Sequence, residues 1–325
     1  MEKSLENITF AHKMLNERIA TEKMGFFKRL FGGKEETPAE KENKTEKDFD
    51  VLKYDGVRAL RQGQLAYAIE CFNAALQLKG FGTETDETEK EESQEILEVR
   101  DYLSQALIHN GELLPAYEQL RKLSETQPEN KQIFVRMAEV AYMMEDYGAM
   151  ANACEKGMLV DRDDAHLLYL YSEACLGQGD MINTIAMLTR SIMLAEKKNE
   201  GAQETQSRLL RGDTLCKMGD LKGAGEDATW LLEHLEQPVE EVFLLQARIL
   251  HAEKQLDDAI IYYNKVIETN PFSAVAFKER GAIYLEKGDK ENAEKDMQSF
   301  LEVNPKEAEA VNGEFKAEGR EHCHP

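Results

Sequence analysis

Near the C-terminal end, apolar and small side chains return at intervals of three and four residues, the spacing of one helix face. Phe277, Gly281 and Tyr284 share such a face, and Ala293, Met297 and Phe300 share another. Gly288 and Asp289 interrupt the chain between them, so the pattern predicts two helices joined by a tight turn. Residues 243–271 lay down the same pattern without a gap. Phe243 falls on Phe277, Ala247 on Gly281, Leu250 on Tyr284, Ala259 on Ala293, Tyr263 on Met297, Val266 on Phe300 and Pro271 on Pro305. A small residue on each helix lets the two backbones approach, larger ones fill the seam, and the closing Asn-Pro ends the second helix. The unit is a helical hairpin, repeated at an offset of about 34 residues.

Earlier copies follow the same plan. The first, from about residue 49, carries Leu52, Gly56, Ala59, Gly63, Ala68, Phe72 and Ala75, with Gly80 where the later copies have Pro. The second carries Leu97, Ser104, Leu107, Gly111, Ala116, Leu120, Leu123 and Pro128, and places Pro115 in the first turn of a helix, where a missing N–H costs little. The third uses Phe134, Ala138, Ala141, Met150, Cys154 and Gly157; the fourth Leu168, Ser172, Cys175, Gly179, Thr184, Leu188 and Ser191; the fifth Gly212, Leu215, Gly219, Ala224, Ala228 and Leu231. The fifth starts late, and the excess AEKKNEGAQETQ predicts a longer preceding helix or a polar loop.

At these positions the chain resembles the tetratricopeptide repeat family, with Phe where that family often has Trp. The resemblance implies an all-α, right-handed superhelical solenoid of about seven helix-turn-helix repeats, starting near residues 49, 97, 131, 165, 205, 240 and 274. Met150 and Thr184 stand where the family has Ala, which weakens the expectation of a close helix crossing in repeats three and four. Residues 1–48 are expected to be a leader and charged linker, with no stable structure over 34–48. The array is expected to span 49–307, and a polar capping helix and tail 308–325.

The formal charge of −22 argues against nucleic acid, whose phosphates need clustered Lys and Arg. It favours solubility and basic or apolar partners. Five cysteines without a CxxC pair read as reduced thiols of a cytoplasmic protein. The chain has no P-loop, dinucleotide fingerprint, HExxH, GxSxG or EF-hand pattern, and no catalytic, metal or cofactor site is assigned. His322, Cys323 and His324 are adjacent and cannot close a tetrahedral site alone. In residues 24–33, Phe26, Phe27, Leu30 and Phe31 line one side of a short helix with Lys28 and Arg29 beside them, a pattern that suits a membrane interface or the first repeat. Similar Met-Gly-Phe-Phe segments open some bacterial membrane-associated GTPases, which makes Met24 an alternative start. Residues 80–94, GFGTETDETEKEESQ, are expected to form an acidic loop or to extend the next helix.

The resemblance also implies a concave groove lined by the first helix of each repeat. Carried over, its residues are Gln132, Val135, Glu139 and Tyr142; His166, Tyr169, Glu173 and Leu176; Gln206, Leu209, Asp213 and Cys216; and Leu244, Arg248 and His251. Tyr and Leu beside Glu139, Glu173 and Asp213 suit a basic or amphipathic polypeptide. Chaperone-binding members of the family clamp a C-terminal carboxylate with Lys, Asn and Arg. Here the equivalent places hold Val57, Gln105, Glu139, Glu173 and Asp213, which disfavours that specialisation. The expected function is a non-enzymatic interaction scaffold. The alternative is a peripheral membrane scaffold docked through residues 24–33, and self-association through the end repeats remains open.

Overall fold

The computed structural model describes residues 38–81 and 92–305, and every regular element among them is an α-helix. The chain divides into two units, Met1–Lys90 and Glu91–Pro325. In the first unit α1 (Pro38–Arg61) and α2 (Leu65–Leu78) form one antiparallel hairpin. Its centre is the approach of Gly56 to the fully buried Phe72 ring, where an added Cβ would come within 2.6 Å of the ring.

The second unit is six hairpins in series: α3 (Gln94–His109) with α4 (Leu113–Thr126), α5 (Lys131–Met143) with α6 (Tyr147–Val160), α7 (Ala165–Gly177) with α8 (Met181–Lys198), α9 (Gly201–Met218) with α10 (Leu221–His234), α11 (Glu240–Ala252) with α12 (Leu256–Thr269), and α13 (Ala274–Glu286) with α14 (Lys290–Val303). Each second helix also packs on the first helix of the next hairpin. The core therefore runs from hairpin to hairpin as linked clusters instead of one central globule. This is an all-α helical repeat solenoid.

Two expectations change. Residues 38–48 are not structureless: they form the first turns of α1. Lys, Glu and Ala are good helix formers and Pro38 sits where a helix tolerates it, so helix forms without an apolar stripe. Glu46 is tied to α2 by Lys79 at 2.5 Å, and Lys79 lies over the buried Phe49 ring. The crossings at Met150 and Thr184 are also closely packed, because both residues are fully buried. The Thr184 hydroxyl lies 2.8 Å from the Asp180 carbonyl and 3.3 Å from that of Ser172 on the facing helix. It costs no unpaired polar group. Ala138, in the same core cluster as Met150, is small and fully buried. The excess before the fifth repeat is shared: α8 and α9 are each 18 residues long, and Asn199 turns the chain between them at φ 58°.

The turns inside the hairpins explain the recurrent Gly-Asp. Gly179, Gly219 and Gly288 have φ near +80°, which glycine adopts without strain. The following Asp180, Asp220 and Asp289 accept the backbone N–H three residues on, at 3.0–3.2 Å, and cap the second helix. Glu145 and Lys254 occupy the same turn position at φ 56° and 65°. A left-handed conformation costs a residue with a Cβ roughly 1–2 kcal/mol. Glu145→Gly and Lys254→Gly should each raise the thermal midpoint, by an amount equivalent to about 1 kcal/mol in a calorimetric scan.

Candidate functional site

In the second unit, first helices touch directly: α5 meets α7, α7 meets α9 and α9 meets α11. Polar contacts run across these steps like rungs. Arg136 on α5 reaches Asp101 on α3. His166 on α7 lies 3.9 Å from Glu139 on α5 and 3.0 Å from Gln203 on α9. Arg248 on α11 bridges Asp213 on α9 at 3.2 Å and Glu279 on α13 at 2.9 Å. His251 and Lys254 both reach Glu286, each at 3.0 Å. Four residues after each small crossing residue a second, mostly apolar row appears: Ile108, Tyr142, Leu176, Cys216, His251 and Leu285. Tyr142 is 48% exposed and Leu285 60%.

A more buried polar feature lies behind this face. In the fourth and sixth hairpins of the unit, an Arg directly precedes the small crossing residue, at Arg211 before Gly212 and Arg280 before Gly281. Each grips an Asp sixteen residues on. Arg211 Nε donates to Asp227 at 2.8 Å and Nη2 at 2.7 Å; Arg280 does the same to Asp296 at 2.8 and 2.6 Å. Asp227 is fully buried and Asp296 nearly so. Arg100 and Arg208 fill the place, four residues before the crossing residue, that Phe134, Leu168, Phe243 and Phe277 fill elsewhere. Arg100 is held by Glu92 and Gln119, and Arg208 by Glu196, Glu204 and Asp227 under the Trp230 ring.

Residues 240–273 and 279–307 match the family model described as the tetratricopeptide repeat. Those two segments are tetratricopeptide repeats, and the earlier hairpins share their helix-turn-helix plan. Its fold is similar to a solved tetratricopeptide repeat protein from Parabacteroides merdae, with a TM-score of 0.62 at 14% identity, covering 79% of this chain and 94% of the other. It is also similar to PilW, described as a widely conserved type IV pilus biogenesis factor, with a TM-score of 0.56 at 16% identity over 65% of this chain and 94% of the other. A third similar structure is PilF of Pseudomonas aeruginosa, with a TM-score of 0.51 at 14% identity over 73% and 98%. At such identities the likeness concerns the fold. No curated protein matches the chain.

The fold places the expected groove residues unevenly. Val135 and Leu244 belong to core clusters and offer a ligand little surface. Tyr142, Gln132, Glu139 and Gln206 are exposed; Tyr169, Leu176, Leu209 and Cys216 are half-buried. Gln132 borders a hollow of about 370 Å³ with Arg136 and Tyr102, and His166 and Gln206 border another of about 500 Å³. The acids are less available than the sequence suggests. Asp213 is shared by Lys217 at 2.6 Å and Arg248. Replacing it with Lys, a natural choice for a groove-charge variant, would therefore disturb the array as well as the groove. Sequence reading left out Ile108 and Leu285, which continue the apolar row, and the partners Asp101, Gln203, Glu279 and Glu286. The available signal was charge complementarity between first helices one repeat apart.

Burial favours the protonated form of the four described thiols. Burial pushes Cys154 up to about 12, and raises Cys71, Cys175 and Cys216. Among the described residues no group of His, Cys, Asp and Glu could hold a metal ion, and no helix is long and apolar enough to cross a membrane. Residues 24–33, the acidic stretch 82–91, His322, Cys323 and His324 lie outside the described residues.

Glu173 carries a testable cost. Burial raises its carboxyl above the ordinary range, although Tyr169, donating from its hydroxyl at 3.1 Å, and His166 pull it back. A raised folded-state value means the folded protein holds that proton more tightly than the unfolded chain. Stability is then lost as pH rises through the raised value. Glu173→Gln keeps an acceptor for Tyr169 and removes the buried charge. Its thermal midpoint at pH 7 should exceed that of wild type. The gain should vanish as pH falls toward the ordinary carboxyl value of about 4.3. His166 runs the same way: Glu139 and then Gln203 favour its protonated ring against burial, so its contribution fades as pH rises through the raised value.

Proposed function

We propose that the protein is a non-enzymatic interaction scaffold that binds a polypeptide along the first helices of its second unit. The observation that carries this reading is the row Ile108, Tyr142, Leu176, Cys216, at one register position on four consecutive first helices, with Tyr142 about half exposed. Such a row, spaced by the repeat, suits the apolar face of a helix or the alternate side chains of an extended chain. Neighbouring rungs keep most carboxylates engaged, so shape and the apolar row account for most of the affinity, and basic groups on the partner add to it at Glu139. The contribution of charge is then modest and weakens with salt.

The test is a photo-reactive phenylalanine analogue at position 142, compared with one at position 156 on a second helix. Irradiation in the source cell should give polypeptide adducts from position 142 and few from position 156. Equal adducts from both, or none from 142, would remove the groove from consideration.

A further inference from the structure

The first hairpin leaves open a face that later hairpins bury. Val51 stands five residues before the crossing residue Gly56; its equivalents Ile133, Leu167, Val242 and Ala276 are 0–2% exposed. Tyr54, two before Gly56, corresponds to Leu170 and Leu245, both buried. In each of those cases the preceding second helix packs against the first helix that carries the residue. Val51 is 58% exposed and Tyr54 70% exposed. Both side chains therefore stand ready for an apolar cover of about one helix width.

We propose that residues 26–31 of the same chain supply this cover, as an internal cap on α1. Three observations point to that occupant. Phe26, Phe27, Leu30 and Phe31 make the apolar side of an amphipathic turn pair ahead of α1 in the sequence. Reach is sufficient: from Pro38 to Val51 the helix rises roughly 20 Å at 1.5 Å per residue. The seven residues from Phe31 to Pro38 extend to about 24 Å at most. Gly32 and Gly33 lie at the point where the chain must reverse. Phenylalanines so used cannot lie in a lipid surface at the same time, so the cap and a membrane role exclude each other.

The test uses the full chain and two double variants. Phe27→Asp/Phe31→Asp should speed amide exchange at residues 47–58 by about tenfold, and leave α5 to α12 unchanged. In a mixture of ¹⁴N- and ¹⁵N-labelled protein, amine cross-linking should join Lys28 to Lys47 or Lys53 within one isotopic chain. Val51→Asp/Tyr54→Asp, which alters only exposed side chains, should abolish that cross-link. Unchanged exchange at residues 47–58 overturns the proposal. So does a cross-link that survives Val51→Asp/Tyr54→Asp, or one that joins chains of different label, which would make a second copy the occupant.

Discussion

Asp227→Ala should cost the second unit about 3–5 kcal/mol, the usual effect of removing one partner from a buried ion pair. Asp227 is fully buried and accepts from Arg211 twice and from Arg208 once. Without it, Arg211 keeps Thr189 as a neutral acceptor at 3.1 Å, and its charge stays between α9 and α10 without compensation. Because a repeat array loses stability locally, the loss should show first as opening of α9 and α10. The chain's one tryptophan, Trp230, lies 4.4 Å from the Arg208 guanidinium, so its fluorescence reports on this step. Asp227→Asn keeps an acceptor oxygen and should fall between Ala and wild type. Arg211→Leu/Asp227→Leu removes both charges, while Arg208 keeps Glu196 and Glu204. That variant should recover most of the loss, as buried pairs replaced by apolar residues often do. If the double variant is no better than Asp227→Ala, the pair is not what holds the hairpin.

That latch shows where sequence reading stops. The crossing residues Gly212, Ala247 and Gly281 were legible because small and large side chains alternate at short range, and short-range spacing is what one strand of text displays. Arg211 and Asp227 were not, since charged residues are ordinarily exposed and their partner lies across a turn. The signal existed: Arg before the crossing Gly and Asp sixteen residues later occur in both the fifth and the seventh repeat. Charged text also misled at residues 38–48, where helix propensity and the Lys79 anchor on Glu46 outweigh the missing apolar stripe. Along the candidate groove the error had the opposite sign. Asp213 looked like a free acid because Arg248, one of its two bases, lies one whole repeat away. The Thr184 crossing was underrated because composition does not reveal that a hydroxyl can bond carbonyls of its own and the facing helix.

Tyr142→Ala/Leu176→Ala should weaken the bound polypeptide by a factor of roughly thirty or more, while the array stays folded. Apolar and aromatic anchors at the centre of an interface are each worth about 1–2 kcal/mol or more on truncation, and 1.4 kcal/mol is tenfold in affinity. Tyr142 is about half exposed, so truncation should move the thermal midpoint little. Leu176 is half-buried, which makes the single Tyr142→Ala variant the cleaner control for folding. Titration calorimetry with the polypeptide recovered through position 142 would give both numbers. The same titration at two salt concentrations separates the contributions. If the apolar row dominates, affinity changes only a few-fold across a change in screening length from about 10 Å to about 3 Å. A steep salt dependence together with an indifferent Tyr142→Ala would shift the binding energy to the exposed acids, with Glu139 first among them. Glu139→Gln would then be the damaging substitution, because Glu139 is exposed and its contact to His166 is long, at 3.9 Å, which leaves it to answer a basic partner.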